Sequence, residues 1–487
     1  MDYWNGTTNK TISLAVVRVP AKVPITDPSY GGAVLVNPGG PGGSGVNLAI
    51  GLGEALQDYI GPDPYTDNSD HNRFARNFDI IAFDPRGVSH TLPHVSCFAH
   101  PMLARTWEVM MMEEGILTSS DAALGRLWSM KAAYGGVCSN VSEDSIHHYV
   151  STASVARDMV ELTEAHGRWR EKESAKLESR ARARAGRRSQ TPALPAVAHL
   201  KYRPGEEKIQ YWGFSYGSYL GTTFASMFPE RVERLVVDGV VDAEDYAANL
   251  WFNNLFDTES VVDLFYHHCA RAGPSACALA KDNFTAADVE QRVKSIVASV
   301  YHNPVPVIGA DPAVISWSAV RGINFAVLYS PVLGFPAFAN ILARIEEHNA
   351  EAASSLMTEH AASVTSTDQQ PNAEVYDDFA KFAIMCTDGD PQNTMTKDDF
   401  KDYMDALLSL SPNAGDIWSL LKLQCISYSL RAYHRHAGPW TGNTSRPILL
   451  VGNTADPVTP VRNAWKMAEG FTGKSPMIIT CFRVSSS

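Results

Sequence analysis

The residues in this sequence best placed to do chemistry are a serine held between two glycines. Gly213-Phe-Ser215-Tyr-Gly217 follows a strand-like run that ends near Trp212 and precedes a helix-like run from about Ser218. A serine nucleophile on a sharp strand-to-helix turn has strained backbone angles, and a side chain on either near neighbour would collide with the adjoining strand or helix. Gly213 and Gly217 remove those collisions. The turn lifts the Ser215 hydroxyl above the sheet edge, and the helix N-terminus beneath it favours developing negative charge. A Gly-Ser turn before an ordinary helix is the plainer reading of the same residues.

Acyl transfer by serine needs a base, an acid to orient the base, and N–H donors for the oxyanion. On such a turn the chain order is Ser, then Asp or Glu, then His. Asp456 fits the second place, in Gly452-Asn-Thr-Ala-Asp456-Pro-Val-Thr-Pro460 after an apolar run. Asp238 and Asp242 are rival acids, and Asp456 also suits a simple turn or helix cap. No histidine follows Asp456; the last two, His434 and His436, precede it. The third triad member is therefore missing from its expected place.

The oxyanion donors are expected in Asn37-Pro-Gly-Gly-Pro-Gly-Gly-Ser-Gly45, where five of nine residues are glycine. The loop lacks G-x-x-x-x-G-K-[ST] and any G-x-G-x-x-G frame, so it does not read as a phosphate cradle. Pro38 and Pro41 have no N–H. Gly39 or Gly40 is left as one donor, with Tyr216, the residue after the nucleophile, as the other.

The surrounding elements point to a mostly parallel sheet. Thr11–Pro20, Gly32–Val36, Phe78–Phe83, Arg234–Asp242, Pro447–Val451 and Met477–Thr480 read as strands. Residues from about 100 to 165 read as helical. The basic run Arg168 to Arg188 reads as a solvated loop or insertion. Asp84 and Arg86, in Asp84-Pro-Arg-Gly87, are expected to pair and lock a turn. From Ala243 to about Trp440 helix-period apolar residues dominate. The expected organisation is residues 1–242 as the first part of an α/β core, 243–442 as a helical cap, and 443–487 as the rest of the core. The active groups should lie at the carboxyl ends of the parallel strands.

Composition narrows the class. The 487 residues are 45% apolar and 19% charged, as in a globular protein. A net charge of −12 argues against a nucleic-acid partner. No apolar run reaches the ~18 residues of a membrane span. Seven cysteines show no C-x-x-C spacing, so no metal or redox centre is expected, and no cofactor motif occurs. Cys269 with Cys277, Cys97 with Cys138, and Cys386 with Cys425 are plausible disulfides, though spacing alone leaves connectivity open. N-x-S/T sequons at Asn5, Asn9, Asn140, Asn283 and Asn443 lean with the cysteines towards secretion. The opening Met-Asp-Tyr-Trp-Asn has no signal-peptide character.

Together these segments resemble the tripeptidyl-aminopeptidase-like serine exopeptidases of the α/β-hydrolase superfamily, relatives of proline iminopeptidases. The resemblance rests on Asn37–Gly45, Phe83-Asp-Pro-Arg-Gly87, Tyr211–Gly221, Val237-Asp-Gly-Val240 and Gly452–Pro460. It implies Ser215 as nucleophile, Asp456 as triad acid and Pro38–Gly42 as the oxyanion loop. It further implies secretion, peptide substrates cut near their N-termini, and a cap that limits access to chain ends. The family usually begins with a signal peptide and carries a Gly-His segment after its last strand. This chain reads Thr480-Cys-Phe-Arg-Val-Ser-Ser-Ser there, so truncation at both ends is expected. The alternatives are an esterase on the same frame, or a hydrolase-like protein without activity. An epoxide or haloalkane hydrolase would need Asp in place of Ser215.

Overall fold

The computed structural model describes residues 1–4, 9–62, 75–185, 200–309, 312–365, 373–471 and 476–481. The sequon Asn5 and residues 482–487 lie outside them. Among the described residues seven strands build the main sheet: β1 (Val16–Val19), β2 (Tyr30–Asn37), β3 (Asn77–Phe83), β4 (Ile209–Phe214), β5 (Val232–Asp238), β8 (Ile448–Asn453) and β9 (Met477–Cys481). Their order is β1-β3-β2-β4-β5-β8-β9. Among these strands β1 runs antiparallel to its neighbour and the other pairings are parallel. The small hairpin β6 (Val305–Val307) with β7 (Ala313–Ile315) stands apart.

β2 and β3 are short runs of Val, Leu, Ile, Ala and Phe, buried over most of their length. Parallel strands are covered on both faces, so they read as continuous apolar runs rather than alternating ones. On one face α1 (Gly45–Ile60) packs Ala49 and Leu56 against Val34, Val36, Ile80 and Ala82. On the other, α4 (Thr152–Ala185) and α5 (Tyr216–Met227) pack Val155, Met159, Tyr219 and Phe224 into the largest core.

Over its described residues the basic run is not a loop. Arg168 to Ala185 is the second half of α4, a helix of 34 residues. Arg, Lys, Glu and Ala are strong helix formers, so the helix begun by the amphipathic 155–164 stretch continues outward. Residues 186–199 lie outside the described set.

Between β5 and β8 the chain is mainly helical. It runs through α6 (Ala243–Ala247), α7 (Thr258–Ala272), α8 (Ala286–His302), α9 (Trp317–Val327), α10 (Pro331–Glu346), α11 (Ala350–Thr365), α12 (Ala373–Asp388), α13 (Lys397–Leu410) and α14 (Gly415–Leu423). α7 to α10 share a second core around Phe265, Phe338 and Leu342. Helices α2 (Pro101–Glu114) and α3 (Ala123–Cys138), which come before Ser215 in the chain, pack against α13 and α14: Leu127 shares a buried cluster with Phe400, Met404 and Leu423. Disulfides join Cys97 to Cys138, Cys269 to Cys277 and Cys386 to Cys425. Helix α15 (Val461–Ala468) follows β8 and leads towards β9.

Candidate active site

β4 and α5 meet at Ser215, which caps α5 at φ 54° and ψ −119°. Non-glycine residues rarely adopt such angles, and neighbouring bonds must hold them. Ser215 N–H donates to Asp238 O at 2.9 Å, and Ser218 N–H to Ser215 O at 2.7 Å. The Ser218 hydroxyl donates to Ser215 O at 2.6 Å and accepts from Val241 N–H at 2.9 Å, fastening the turn to the end of β5. The flanking glycines are sterically required. A Cβ on Gly213 would lie 2.4 Å from Gly217 O, and one on Gly217 would lie 2.9 Å from Asn37 O.

The Gly-rich loop leaves β2 beside this turn. Gly39 has φ +99°, and a Cβ there would sit 2.4 Å from Phe214 O, 3.0 Å from Ser215 Cβ and 3.1 Å from Tyr216 N. Its N–H is engaged, donating to Asn37 Oδ1 at 3.0 Å. Gly40, at φ +113°, lines the cleft in front of Ser215 together with Tyr216. The far end of the loop is tied down by Asp84. Its Oδ1 accepts from the Ser44 hydroxyl at 2.7 Å and from Val46 N–H at 3.0 Å.

The expected Asp84–Arg86 pair does not form. Arg86 instead makes a two-pronged ion pair with Asp158 of α4, Nε to Oδ2 at 2.5 Å and Nη2 to Oδ1 at 2.8 Å, with both side chains buried. The planar guanidinium fork suits a carboxylate approached edge-on. Asp84 spends its oxygens on Ser44, Val46 and His90 instead.

Asp456 lies in the turn after β8. Its Oδ1 accepts from Val458 N–H at 3.1 Å, Thr459 N–H at 2.8 Å and the Thr459 hydroxyl at 2.9 Å; its Oδ2 accepts from Asn453 Nδ2 at 3.2 Å. Val458 and Thr459 line the cleft with Ser215, whereas Asp456 does not line it itself. A Cβ on Gly239 would be 3.0 Å from Thr459 Oγ1 and 3.6 Å from Ser215 N, so the two loops close on either side of that glycine.

The rival acids are engaged elsewhere. Asp242 caps α6 and pairs with Lys466 at 2.8 Å. Asp238 accepts from Trp212 Nε1 at 3.3 Å, and burial, with the nearby charge of Asp456, pushes its carboxyl up.

No histidine lines the cleft among the described residues. His434 lies 3.3 Å from Asp2 and packs on Trp4. His436 stands edge-on to Trp440, where burial pushes its imidazole down.

The cleft has a volume of about 340 Å³. Its lining also includes residues to which the sequence reading assigned no role in a site: Trp251, Tyr329, Lys381, Met385 and Trp418. Aromatic pairs in a helical segment carry the same signal as core packing, so only the tertiary structure separates them.

Beneath the cleft lies a buried carboxylate, also unforeseen. Asp388, at the end of α12, accepts from Thr152 N–H at 2.8 Å, the Thr152 hydroxyl at 2.6 Å and Tyr246 OH at 3.4 Å. Thr152 Oγ1, having given its proton to Asp388, is left to accept from the Tyr216 hydroxyl. Burial pushes the Asp388 carboxyl up to about 6, against the pull of the Thr152 bonds and Arg435. Among the described residues no group of three or more His, Cys, Asp or Glu is placed to hold a metal ion.

A mostly parallel sheet, a strained serine turn at a strand's carboxyl end and an acid in the turn after β8 define a class. The chain belongs to the α/β hydrolase fold family, whose model matches residues 201–482. It is 24% identical over 471 residues to the tripeptidyl aminopeptidase of Streptomyces lividans, covering 95% of this chain and 72% of that protein. It is 25% identical over 324 residues to the serine protease Hip1 of Mycobacterium tuberculosis, covering 66% of this chain. The chain spans about half (50%) of the length of that protease. A stretch of 84 residues is 43% identical to carboxylesterase B of M. tuberculosis, 17% of this chain and 13% of that protein.

Proposed function

We propose that this protein is a serine hydrolase that releases short peptides or single amino acids from peptide N-termini. The observation that carries this reading is the Ser215 backbone, held at φ 54° and ψ −119° on the floor of a walled cleft. Ser215 attacks the scissile carbonyl and forms an acyl-enzyme, which water then hydrolyses. Gly40 N–H and Tyr216 N–H stabilise the oxyanion, since Gly39 N–H is already given to Asn37. Asp456 orients the base. The helical segment 243–442 acts as a cap over the core formed by 1–242 and 443–487. Similarity to an aminopeptidase over 95% of the chain supports the peptide-substrate reading.

Three disulfides and exposed sequons at Asn9, Asn140, Asn283 and Asn443 support an extracellular, glycosylated protein. Among the described residues no helix is long and apolar enough to cross a membrane.

A fluorophosphonate with peptide mass mapping tests the nucleophile. Without a base, residual catalysis is roughly 10³–10⁴ over water, far below that of an intact triad. Residues 1–487 by themselves, with no histidine after Asp456, are expected not to label at Ser215. A form carrying a histidine-bearing segment after β9 is expected to label stoichiometrically. Labelling of the shorter form would show that another histidine supplies the base. Failure of both would withdraw Ser215 as nucleophile and favour a hydrolase-like protein without activity. The stretch shared with carboxylesterase B favours an esterase as second reading. Relative kcat/KM on aminoacyl amides and simple esters separates the two.

A further inference from the structure

Among the described residues lining the cleft, Lys381 carries the one formal charge. It projects from α12 at half-buried exposure, among Trp251, Tyr329, Met385 and Trp418. Among the described residues no carboxylate shares that wall. Asp456 is turned to Val458 and Thr459, and Asp388, beneath the cleft, to Thr152 and Tyr246. A cation set in an aromatic, partly desolvated cleft attracts an anion more strongly than it would at the open surface. It also repels a free ammonium brought to the same place.

We propose that Lys381 is a specificity-determining residue that reads a carboxylate on the substrate, presented beside an apolar or aromatic group that fills the wall. The proposal rests on the cleft over Ser215 being the substrate site. For a peptide, the carboxylate is an acidic side chain near the bond cut, with the N-terminal ammonium held away from Lys381. For an ester, it is the free end of a dicarboxylic monoester. Both present the same chemistry to the lysine.

Binding tests this without catalysis, with Trp251 and Trp418 as fluorescent reporters in the cleft wall. The probes are phenylpropionate, phenylpropionamide and phenylpropylammonium, alike in shape and different in charge. Phenylpropionate is expected to bind about tenfold more tightly than the amide, as one charge-assisted contact provides, and the ammonium most weakly. Lys381→Met should abolish the preference while keeping amide affinity, which also shows that the cleft is intact. Lys381→Glu should invert it. Equal binding of the three, no binding of any, or a preference that survives Lys381→Met would overturn the proposal.

The two sources separate in a second pair of measurements. Acetyl-phenylalanyl-glutamate amide is compared with its glutamine counterpart, and glutaric acid monobenzyl ester with its amide. Charge preference in the first pair points to acidic peptides, and in the second to dicarboxylate esters; preference in neither overturns the proposal. Because no step needs Ser215, a charge preference without phosphonate labelling of either form, with or without the histidine-bearing segment, leaves Lys381 standing and removes the hydrolase reading. Labelling without charge preference does the reverse.

Discussion

At the scale of single residues, the site depends on what is absent as much as on what is present. Gly39 has no side chain, and the space a methyl would fill lies 3.1 Å from Tyr216 N and 3.0 Å from Ser215 Cβ. That space faces the proposed oxyanion donor. Gly39→Ala is therefore expected to abolish phosphonate labelling at Ser215 in any form of the protein that labels. It should also lower stability by about 1–3 kcal/mol, because φ +99° is strained for alanine. Urea unfolding and mass mapping read the two effects, and unchanged labelling would place the oxyanion elsewhere. Ser215 and Gly39 were legible in the sequence because their constraints are local: a tight turn and a missing Cβ. The partner of Arg86 was not. Asp84 is its near neighbour in sequence, but the fold delivers Asp158 from α4, 72 residues on.

At the scale of elements, the junction of α12, α4 and α5 sets the floor of the cleft. Asp388, Thr152 and Tyr216 come one from each, and a buried carboxylate ties them together. The Asp388 carboxyl is held near 6, above its usual 3.8. Between about pH 4 and 6 the folded state keeps a proton that the unfolded chain has released. Its stabilising contribution is therefore full below that window and is lost as pH rises through it. The difference is roughly 3 kcal/mol for a shift of about two units. Asp245, pushed up to about 6 by burial and then Asp242, acts in the same sense. His147 acts oppositely: burial holds its imidazole near 4, so its contribution grows as pH rises towards 6.5. Subtracting the wild-type pH profile of unfolding free energy from that of Asp388→Asn isolates the one group. The variant is expected to lose the downward slope between pH 4 and 6. Identical slopes would mean that Asp388 does not titrate there.

Strands were the most legible elements, since a buried parallel strand is a short apolar run and needs no partner to be seen. Their ends shifted by a few residues, as in β4, which continues to Phe214 rather than stopping near Trp212. The Asp388 junction was invisible because a lone aspartate at a helix end looks like any surface acid. Only packing against Thr152 and Tyr246 gives it meaning.

At the scale of the whole molecule, the helical segment is bound to the core at several points. Asn254 Nδ2 donates to Val458 O at 2.8 Å and the Thr258 hydroxyl to Pro457 O at 2.7 Å, joining the segment to the Asp456 turn. Cys386–Cys425 closes 39 residues around α13 and α14, whereas Cys269–Cys277 closes only 8. Constraint of the unfolded chain grows with the loop closed, giving about 4 kcal/mol for the first and about 2.5 kcal/mol for the second. Replacing the first pair by alanine should lower the urea midpoint more than replacing the second; the reverse order would refute this account. The sequence revealed a helical segment between two strands, but not its packing on α2 and α3. That contact joins residues such as Leu127 and Phe400, far apart in the chain and each apolar for reasons that sequence cannot assign.

The central sheet places Leu235 of β5 beside Ile448 of β8. About 210 residues separate these neighbours, and a ribosome adding about 5–20 residues per second needs roughly 10–40 s to supply them. Throughout that interval the nascent chain carries a half-built sheet whose β5 border has no permanent neighbour. Biogenesis of this protein is thus a waiting problem. Slowed translation across the helical segment would lengthen the wait, and a chaperone that shields β5 would do most good there.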